Sequence, residues 1–167
     1  MRVKTKVSFA DYAQLNFSLY YRKPLSMLVA LVGFMLLIFA VLSFEDKFHS
    51  GQSPIFLCAI GVMVVVVIPF FIYQNSKRNY YSNLRLQEEI EYDFTNDKLK
   101  MTGTSFNAEL NWDKTYKIEE LKKFFLIYGS KQIANLLPKN DMTSAEIAEA
   151  RNIFQGLSVV KIKKLKG

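Results

Sequence analysis

The centre of the chain is almost continuously apolar, unlike the segments on either side of it. Two stretches of twenty residues, 25–44 and 54–73, contain no charged side chain. A helix rises about 1.5 Å per residue, so each stretch reaches about 30 Å, the thickness of the hydrocarbon layer of a bilayer. Both are apolar around the whole helix, and the remaining residues are too few to cover them in a soluble protein. The pattern predicts transmembrane helices at 24–44 and 54–74, joined by an extracytoplasmic loop at 45–53.

Details of the two stretches predict how they pack. Small residues form a strip on each helix, and we interpret the strips as a contact between the two helices; self-association of the chain is the alternative. Pro69 predicts a kink, because proline lacks the amide hydrogen that a helix uses. A cleaved signal peptide is the alternative for the first stretch, but no small-x-small cleavage site follows it. The strips consist of Ser26, Ala30 and Gly33, and of Cys58, Ala59 and Gly61.

Basic and aromatic residues flank the two stretches and predict their orientation. Lysine and arginine accumulate before the first stretch and after the second, whereas the loop contains only Lys47 as a basic residue. Basic flanks stay on the cytoplasmic side of a membrane. We therefore expect both termini on the cytoplasmic side of a bacterial cytoplasmic membrane and His49 on the opposite side. Tyrosine prefers the headgroup layer. The residues expected at the membrane interface are Tyr20, Tyr21, Arg22, Lys23, Tyr73, Lys77, Arg78, Tyr80 and Tyr81.

The N-terminal segment, residues 1–23, changes periodicity along its length. Alternation over Arg2–Val7 predicts a short strand. Apolar residues at helical spacing then predict an amphipathic helix from Phe9 to about Arg22, with a bend at Pro24 before the first span.

The segment 88–156 switches to a period of two, which predicts a small antiparallel β domain with a capping helix at 79–157. Acidic residues of 89–94 and lysines of 98–102 flank the turn Thr95-Asn96-Asp97, which is typical of a hairpin with charged cross-strand pairs. Further strands are predicted around 106–112, 116–118, 124–128 and 131–137. A capping box, Thr143 to Glu146, begins a helix. Its buried face would be Ile147, Ala150 and Phe154, and Gly156 would end it.

Charge narrows the range of partners. The chain carries a net charge of +7, yet residues 74–156 contain as many basic as acidic side chains. A nucleic-acid-binding domain would carry surplus positive charge on its folded part, so we expect no nucleic-acid partner. The excess positive charge of residues 74–167 lies in a basic tail, residues 158–167. This tail is either solvated or in contact with anionic lipids. We expect the partners to be the bilayer and other membrane proteins.

Catalytic chemistry is not indicated. The single histidine, His49, lies in a nine-residue loop that could not orient a catalytic triad, and the single cysteine, Cys58, lies in a predicted span. One histidine and one cysteine cannot form a zinc site, and no phosphate-binding or dinucleotide-binding glycine motif occurs. We therefore expect no catalytic residue, no metal and no cofactor, and we interpret the protein as a non-enzyme.

Several short motifs resemble the YcxB-like family of bacterial membrane proteins. They are Trp112-Asp113-Lys114, then 116–120, then the strand 124–128, then Leu136-Leu137-Pro138-Lys139 before the helix at Thr143. The chain departs from the family pattern after Lys139, where Asn140-Asp141-Met142 replaces a basic and aromatic stretch. The resemblance implies a pleckstrin-homology-like (PH-like) domain with a C-terminal helix. Trp112, Pro138 and Lys139 are then interpreted as structural residues of that domain.

The expected fold is therefore an α+β membrane protein, with a transmembrane hairpin and a small antiparallel PH-like domain. Our leading hypothesis is a non-enzymatic two-span protein that presents a cytoplasmic interaction or regulatory domain. The alternative is an immunity-type protein that protects the membrane against an antimicrobial peptide. An enzyme or a lipid-binding domain is the third hypothesis.

Overall fold

The fold is a mixture of helices and sheets in two compact units. The computed structural model describes residues 1–44, 53–157 and 161–164. One unit comprises Phe9–Ser82, and the other combines Met1–Ser8 with Asn83–Gly167. The mixed α+β class is confirmed, with two long apolar helices in the first unit and two four-stranded sheets in the second. Residues 45–52 of the predicted loop, including His49, lie outside the described residues.

The helical unit begins with a short helix and continues into two long ones. Its elements are α1 (Phe9–Tyr21), α2 (Pro24–Phe44), α3 (Pro54–Val62), a π-helical turn (Met63–Val67) and α4 (Ile68–Ser82). Pro24 and Pro54 each occupy the first helical position, where a missing amide hydrogen costs nothing. Two continuous helical stretches, Pro24–Ser43 and Pro54–Ser82, are long and apolar enough to cross a membrane; their most apolar 18-residue windows have mean hydropathies of 2.9 and 3.1.

A π-helical turn precedes Pro69. The amide of Ile68 donates to the carbonyl of Met63, five residues earlier, rather than four as in an α-helix. Proline cannot donate to the carbonyl four residues before it, and its ring crowds that carbonyl. Widening the preceding turn relieves this crowding, and such π turns are recognised sites of helix bending. The structure thus has a π-helical turn, Met63–Val67, before Pro69, and the kink itself stays a prediction.

Two glycines bring α2 and α3 into close contact. A Cβ atom on Gly33 would lie 2.5 Å from Val64, and one on Gly61 would lie 2.6 Å from Leu37 and 3.1 Å from the Gly33 carbonyl oxygen. Both positions therefore allow the helices to approach closely. The strip of small residues predicted on the second helix, Cys58, Ala59 and Gly61, is only partly confirmed. Ala59 is exposed rather than packed against α2, because it points away from the face that carries Gly61.

Aromatic rings join α1 to α4 within the helical unit. The Phe9 ring lies 5.6 to 5.8 Å, between centroids, from the rings of Tyr73, Tyr80 and Tyr81, and Tyr12 lies 5.9 Å from Tyr80. The predicted helix at Phe9 is confirmed and ends at Tyr21, one residue before the expected boundary. Its packing brings the beginning and the end of this unit together.

The second unit consists of two sheets and a closing helix. One sheet has the strand order β1-β2-β3-β4, and the other has the order β7-β6-β5-β8; neighbours are antiparallel except for β8, which is parallel to β5. A short helix, α5 (Leu84–Gln87), precedes β2, and α6 (Ser144–Gly156) follows β7. The strands are β1 (Arg2–Lys6), β2 (Glu89–Phe94), β3 (Lys98–Thr102), β4 (Asn107–Asn111), β5 (Lys117–Glu120), β6 (Phe124–Tyr128), β7 (Ala134–Pro138) and β8 (Lys161–Lys164).

The N-terminal strand completes a sheet whose other strands follow the helical unit. Strand β1 pairs antiparallel with β2, from Arg2 opposite Asp93 to Lys6 opposite Glu89. Arg2 forms ion pairs with Glu91 (3.1 Å) and Asp93 (3.3 Å). The sequence predicted strand β1 but not its partner. Along the chain, the whole helical unit thus lies between two strands that are hydrogen-bonded to each other in the sheet.

Most of the local predictions for the β unit are confirmed. The β2–β3 hairpin and β6 have the predicted positions, and the capping box of α6 is formed by Thr143 and Glu146. The strand predicted at 131–137 begins only at Ala134, because the amide of Gly129 donates to the Ile133 carbonyl (3.1 Å) and closes a turn there. Helix α6 includes Gly156 rather than ending before it.

The core of this unit lies between the sheets and α6. Phe154 of α6 places its ring 5.9 Å from Phe94, 6.1 Å from Trp112 and 5.3 Å from Phe125, between centroids. Ala150 is fully buried beside it. Helix α6 therefore covers one end of the space between the two sheets.

The close approach of α2 and α3 makes a stability prediction. We expect Gly61→Ala to destabilise the helical unit by about 1–3 kcal/mol, the usual cost of overpacking, because the new methyl group meets Leu37 and the Gly33 carbonyl. Thermal unfolding of the full chain in detergent micelles, followed by the helical signal in circular dichroism, measures the effect.

Gly156→Ala is the matched control, since a Cβ atom there meets nothing within 4 Å. Alanine is the better helix former by about 1 kcal/mol, so the control should not lower the unfolding temperature. Equal behaviour of the two variants would contradict the close packing at Gly61.

Candidate functional site

A buried ion cluster joins β5, β7 and α6. Lys139 follows β7, and its Nζ donates to Glu120 Oε1 (2.7 Å) and to the Leu121 carbonyl (2.7 Å). The same ammonium lies 4.3 Å from the centre of the Phe125 ring, a cation–π contact. Arg151 of α6 donates from Nε to the same Glu120 oxygen (2.9 Å). One carboxylate thus binds two cations from different elements.

The environment of the cluster shifts both pKa values downward. Burial raises the pKa of Glu120, but the hydrogen bonds from Arg151 and Lys139 outweigh it, so the net pKa lies below the usual range. Burial lowers the pKa of Lys139, although the Glu120 carboxylate acts in the opposite direction. The Lys139 side chain is only 9% exposed. Through Arg151 the cluster attaches α6 to β5.

Strand β5 carries a second buried carboxylate and bonds to β8 along one edge. Glu119 is 2% exposed, and Lys117 Nζ lies 3.3 Å from its Oε2. Strand β8 runs parallel to β5, with Lys163 opposite Glu119 and Lys164 opposite Glu120 in the register. The sequence predicted only a basic tail here. Four residues are too short for a recognisable alternation, so the strand was missed.

An open cleft of about 250 Å³ lies in the β unit, between the two sheets. Its walls come from β2, β3, β4 and β7, and α5 contributes to its rim. Most of the lining is apolar. The lining residues are Val7, Asn83, Arg85, Leu86, Ile90, Tyr92, Met101, Phe106, Ala108, Ile133, Ala134, Asn135 and Leu136.

Polar groups of the cleft are few and mostly hold its walls together. The Tyr92 hydroxyl donates to the Leu136 carbonyl (2.6 Å), which links β2 to β7, and burial raises the pKa of this tyrosine. The Arg85 guanidinium lies 4.8 Å from the centre of the Phe106 ring at the rim. Ile133 is 70% exposed beside it. Apolar walls with a cationic rim suit an apolar side chain or an amphiphile.

The residues expected at the membrane interface differ in exposure. Tyr73 and Tyr81 are exposed, as are Lys23, Lys77 and Arg78, whereas Tyr20, Tyr21 and Arg22 are half-buried at the end of α1 and just beyond it. Tyr80 is only 7% exposed, because it packs into the ring cluster around Phe9. Tyr80 lies seven positions after Tyr73, about two helical turns, so both lie on the face of α4 that meets α1.

The residues expected to be structural lie in or beside the core. Trp112 is 4% exposed, and its indole Nε1 donates to the Thr95 carbonyl (2.9 Å). Pro138 ends β7, and Lys139 enters the ion cluster described above. None of the three faces the cleft.

Asp141, where the chain departs from the family pattern, has a contact of its own. Its Oδ2 accepts a hydrogen bond from the Thr5 hydroxyl (2.9 Å) and another from the Lys6 amide (3.1 Å). The turn before α6 is therefore attached to β1. The sequence showed the departure but not this role, because the partner lies more than 130 positions away.

Comparison with known proteins finds one similarity. The family model described as YcxB-like protein matches residues 94–154. The match runs from the end of β2 to α6 and includes Trp112, Pro138 and Lys139. Neither the curated proteins nor the solved structures yield a match. The similarity therefore concerns part of the β unit and leaves β1 and the helical unit outside it.

The ion cluster predicts how the β unit responds to acid. Because the folded pKa of Glu120 is lowered, its charge stabilises the fold above its unfolded pKa of about 4.3 and loses this effect as the pH falls through the folded value. We expect Glu120→Gln to destabilise the unit by about 1–3 kcal/mol at pH 7, since Lys139 loses its charged partner. The variant should also lose less stability than the native protein below about pH 4.

Emission of Trp112, the single tryptophan, reports on the unfolding of this unit. Glu149→Gln, an exposed carboxylate on the same helix, is the control and should change stability by less than about 0.5 kcal/mol. Parallel stability curves for Glu120→Gln and the native protein between pH 3 and pH 7 would contradict the prediction.

Proposed function

We propose that this protein is a non-enzymatic, two-span protein of the bacterial cytoplasmic membrane that presents a PH-like interaction domain on the cytoplasmic side. The observation that carries the proposal is the pairing of β1 with β2 across the inserted helical unit. It supports a domain built on the two ends of a membrane hairpin.

The surface of the helical unit supports a membrane location. Large apolar side chains of α2, α3 and α4 are exposed, including Leu25 (70%), Met35 (68%) and Phe71 (59%). An aqueous protein rarely leaves so extensive an apolar surface uncovered. Lipid chains would cover it without any further protein. The 29-residue stretch Pro54–Ser82 exceeds the roughly 20 residues that a bilayer requires, which leaves its polar last turns for the headgroup layer.

The strand pairing supports the proposed topology. Lys6 and Glu89 lie opposite each other in one sheet, although the helical unit separates them along the chain. A sheet cannot form across a bilayer, so both segments need to emerge on the same side. Two crossings satisfy this requirement. The basic residues before α2 and after α4 favour the cytoplasm as that side.

The strand arrangement supports a PH-like domain. Four antiparallel strands, β1 to β4, form one sheet, and β5, β6 and β7 form the antiparallel part of the other. Helix α6 closes one end through Phe154. The apolar cleft between the sheets, lined by Ile90, Phe106 and Leu136 among others, is open to solvent. A small β unit with an open cleft suits binding, and its attachment to the membrane would concentrate it near membrane partners.

Cysteine labelling tests the topology. In a Cys58→Ser background, we expect His49→Cys to react with a membrane-impermeant maleimide in intact cells. Ser130→Cys, at an exposed turn of the β unit, should react only after the membrane is permeabilised. Labelling of both positions in intact cells, or recovery of the chain in the soluble fraction, would contradict the proposal.

Photo-crosslinking tests the interaction role. A photoreactive residue in place of Ile133, at the rim of the cleft, should yield a discrete adduct in living cells. Ala108→Trp in the same chain should remove the adduct, because it fills the cleft. A photoreactive residue at the exposed Asp113 is the positional control. Adducts that are the same at both positions, or no adduct with a folded chain, would argue against an interaction domain.

A further inference from the structure

The outer edge of β5 is covered only by a short strand. Strand β5 pairs with β6 along its whole length on one side, from Lys117 opposite Tyr128 to Glu120 opposite Phe125. On the other side it pairs with the four residues of β8. Among the residues that the structure describes, β8 has no second neighbour in the sheet. The edge of the sheet would expose unpaired backbone groups of β5 if β8 left.

Several features make β8 easier to displace than the other strands. It is the one parallel partner in an otherwise antiparallel pair of sheets, and parallel pairing is slightly less stable per residue. It has only four paired residues, and elements with few neighbours open locally at low free energy. By contrast, β6 is held on both sides, by β5 and by β7.

The charges on the two strands show what kind of segment the edge accepts. Strand β5 carries Glu119 and Glu120, and the register places Lys163 and Lys164 of β8 opposite them. Glu119 is 2% exposed and already has Lys117 Nζ 3.3 Å from its Oε2; a further positive charge beside so buried a carboxylate interacts with it more strongly than at the open surface. The apolar residues Ile118 and Ile162 are likewise opposite each other. The edge therefore favours an extended segment in which lysines follow an apolar residue.

We propose that the β5 edge is a docking site for an extended, lysine-rich segment of a partner protein, which adds to the sheet as a strand. The chain's own β8 occupies this edge and is displaced when the partner binds. This proposal specifies the partner chemistry of the interaction domain and rests on that proposed function. A nearby competing strand on the same chain lowers the apparent affinity, because its effective concentration is high.

A peptide of residues 158–167 is the probe. We expect it to bind the full chain truncated after Leu157, in detergent micelles, at least tenfold more tightly than it binds the intact chain, as measured by fluorescence anisotropy. A scrambled peptide of the same composition should bind the truncated chain at least tenfold more weakly than the native sequence. Equal binding to intact and truncated chains, or equal binding of both peptides, would overturn the proposal.

A locked variant covers the case in which truncation unfolds the β unit, which Trp112 emission would reveal. In a Cys58→Ser background, Lys117→Cys and Lys161→Cys occupy opposite register positions, at a separation that a disulfide bridges. The oxidised chain should lose peptide binding, and reduction should restore it. Binding that is the same in both redox states overturns the proposal. Because these assays use micelles, their failure would leave the membrane topology untouched.

Discussion

The hydrogen bonds between β1 and β2 are the constraint on which the rest of the architecture depends. They join Arg2–Lys6 to 89–93 although the helical unit lies between them in the chain. Closing so long a loop costs little more than closing a short one, since each doubling of length adds only about 0.6 kcal/mol. The inserted unit also keeps its own ends together through the rings of Phe9 and Tyr80.

This arrangement explains why the charges of β2 face two partners. The sequence pattern predicted pairs between β2 and the lysines of β3, and Asp93 does lie opposite Lys100. Strand β1 adds Arg2 and Lys4, which form ion pairs with Glu91. These pairs are largely exposed, and exposed pairs contribute little to stability. Their effect is on register, because a shift of one residue would place Arg2 and Lys4 opposite Tyr92 and Ile90 and turn Val3 out of the core.

Features that depend on neighbouring residues could be predicted from the sequence. The β2–β3 hairpin, the capping box of α6 and the buried face of Ala150 and Phe154 follow from spacing over a few residues. The long apolar helices follow from composition alone. The partner of β1, the bond from Thr5 to Asp141 and the cleft were missed, because each depends on residues far apart in the chain. No local pattern records which distant strand will pair.

The acidic strand β5 shows how such distant pairings are selected. Placing Glu119 and Glu120 in a buried strand costs free energy unless cations from elsewhere reach them. Arg151 reaches Glu120 from α6 and Lys139 reaches it from the residue after β7, whereas Lys117 of β5 itself lies 3.3 Å from Glu119 Oε2. A chain in which α6 packed elsewhere would lose the Arg151 contact with Glu120. The acidic side chains of β5 thus obtain cations from β5 itself, from the residue after β7 and from α6, all within the charge-balanced segment 74–156.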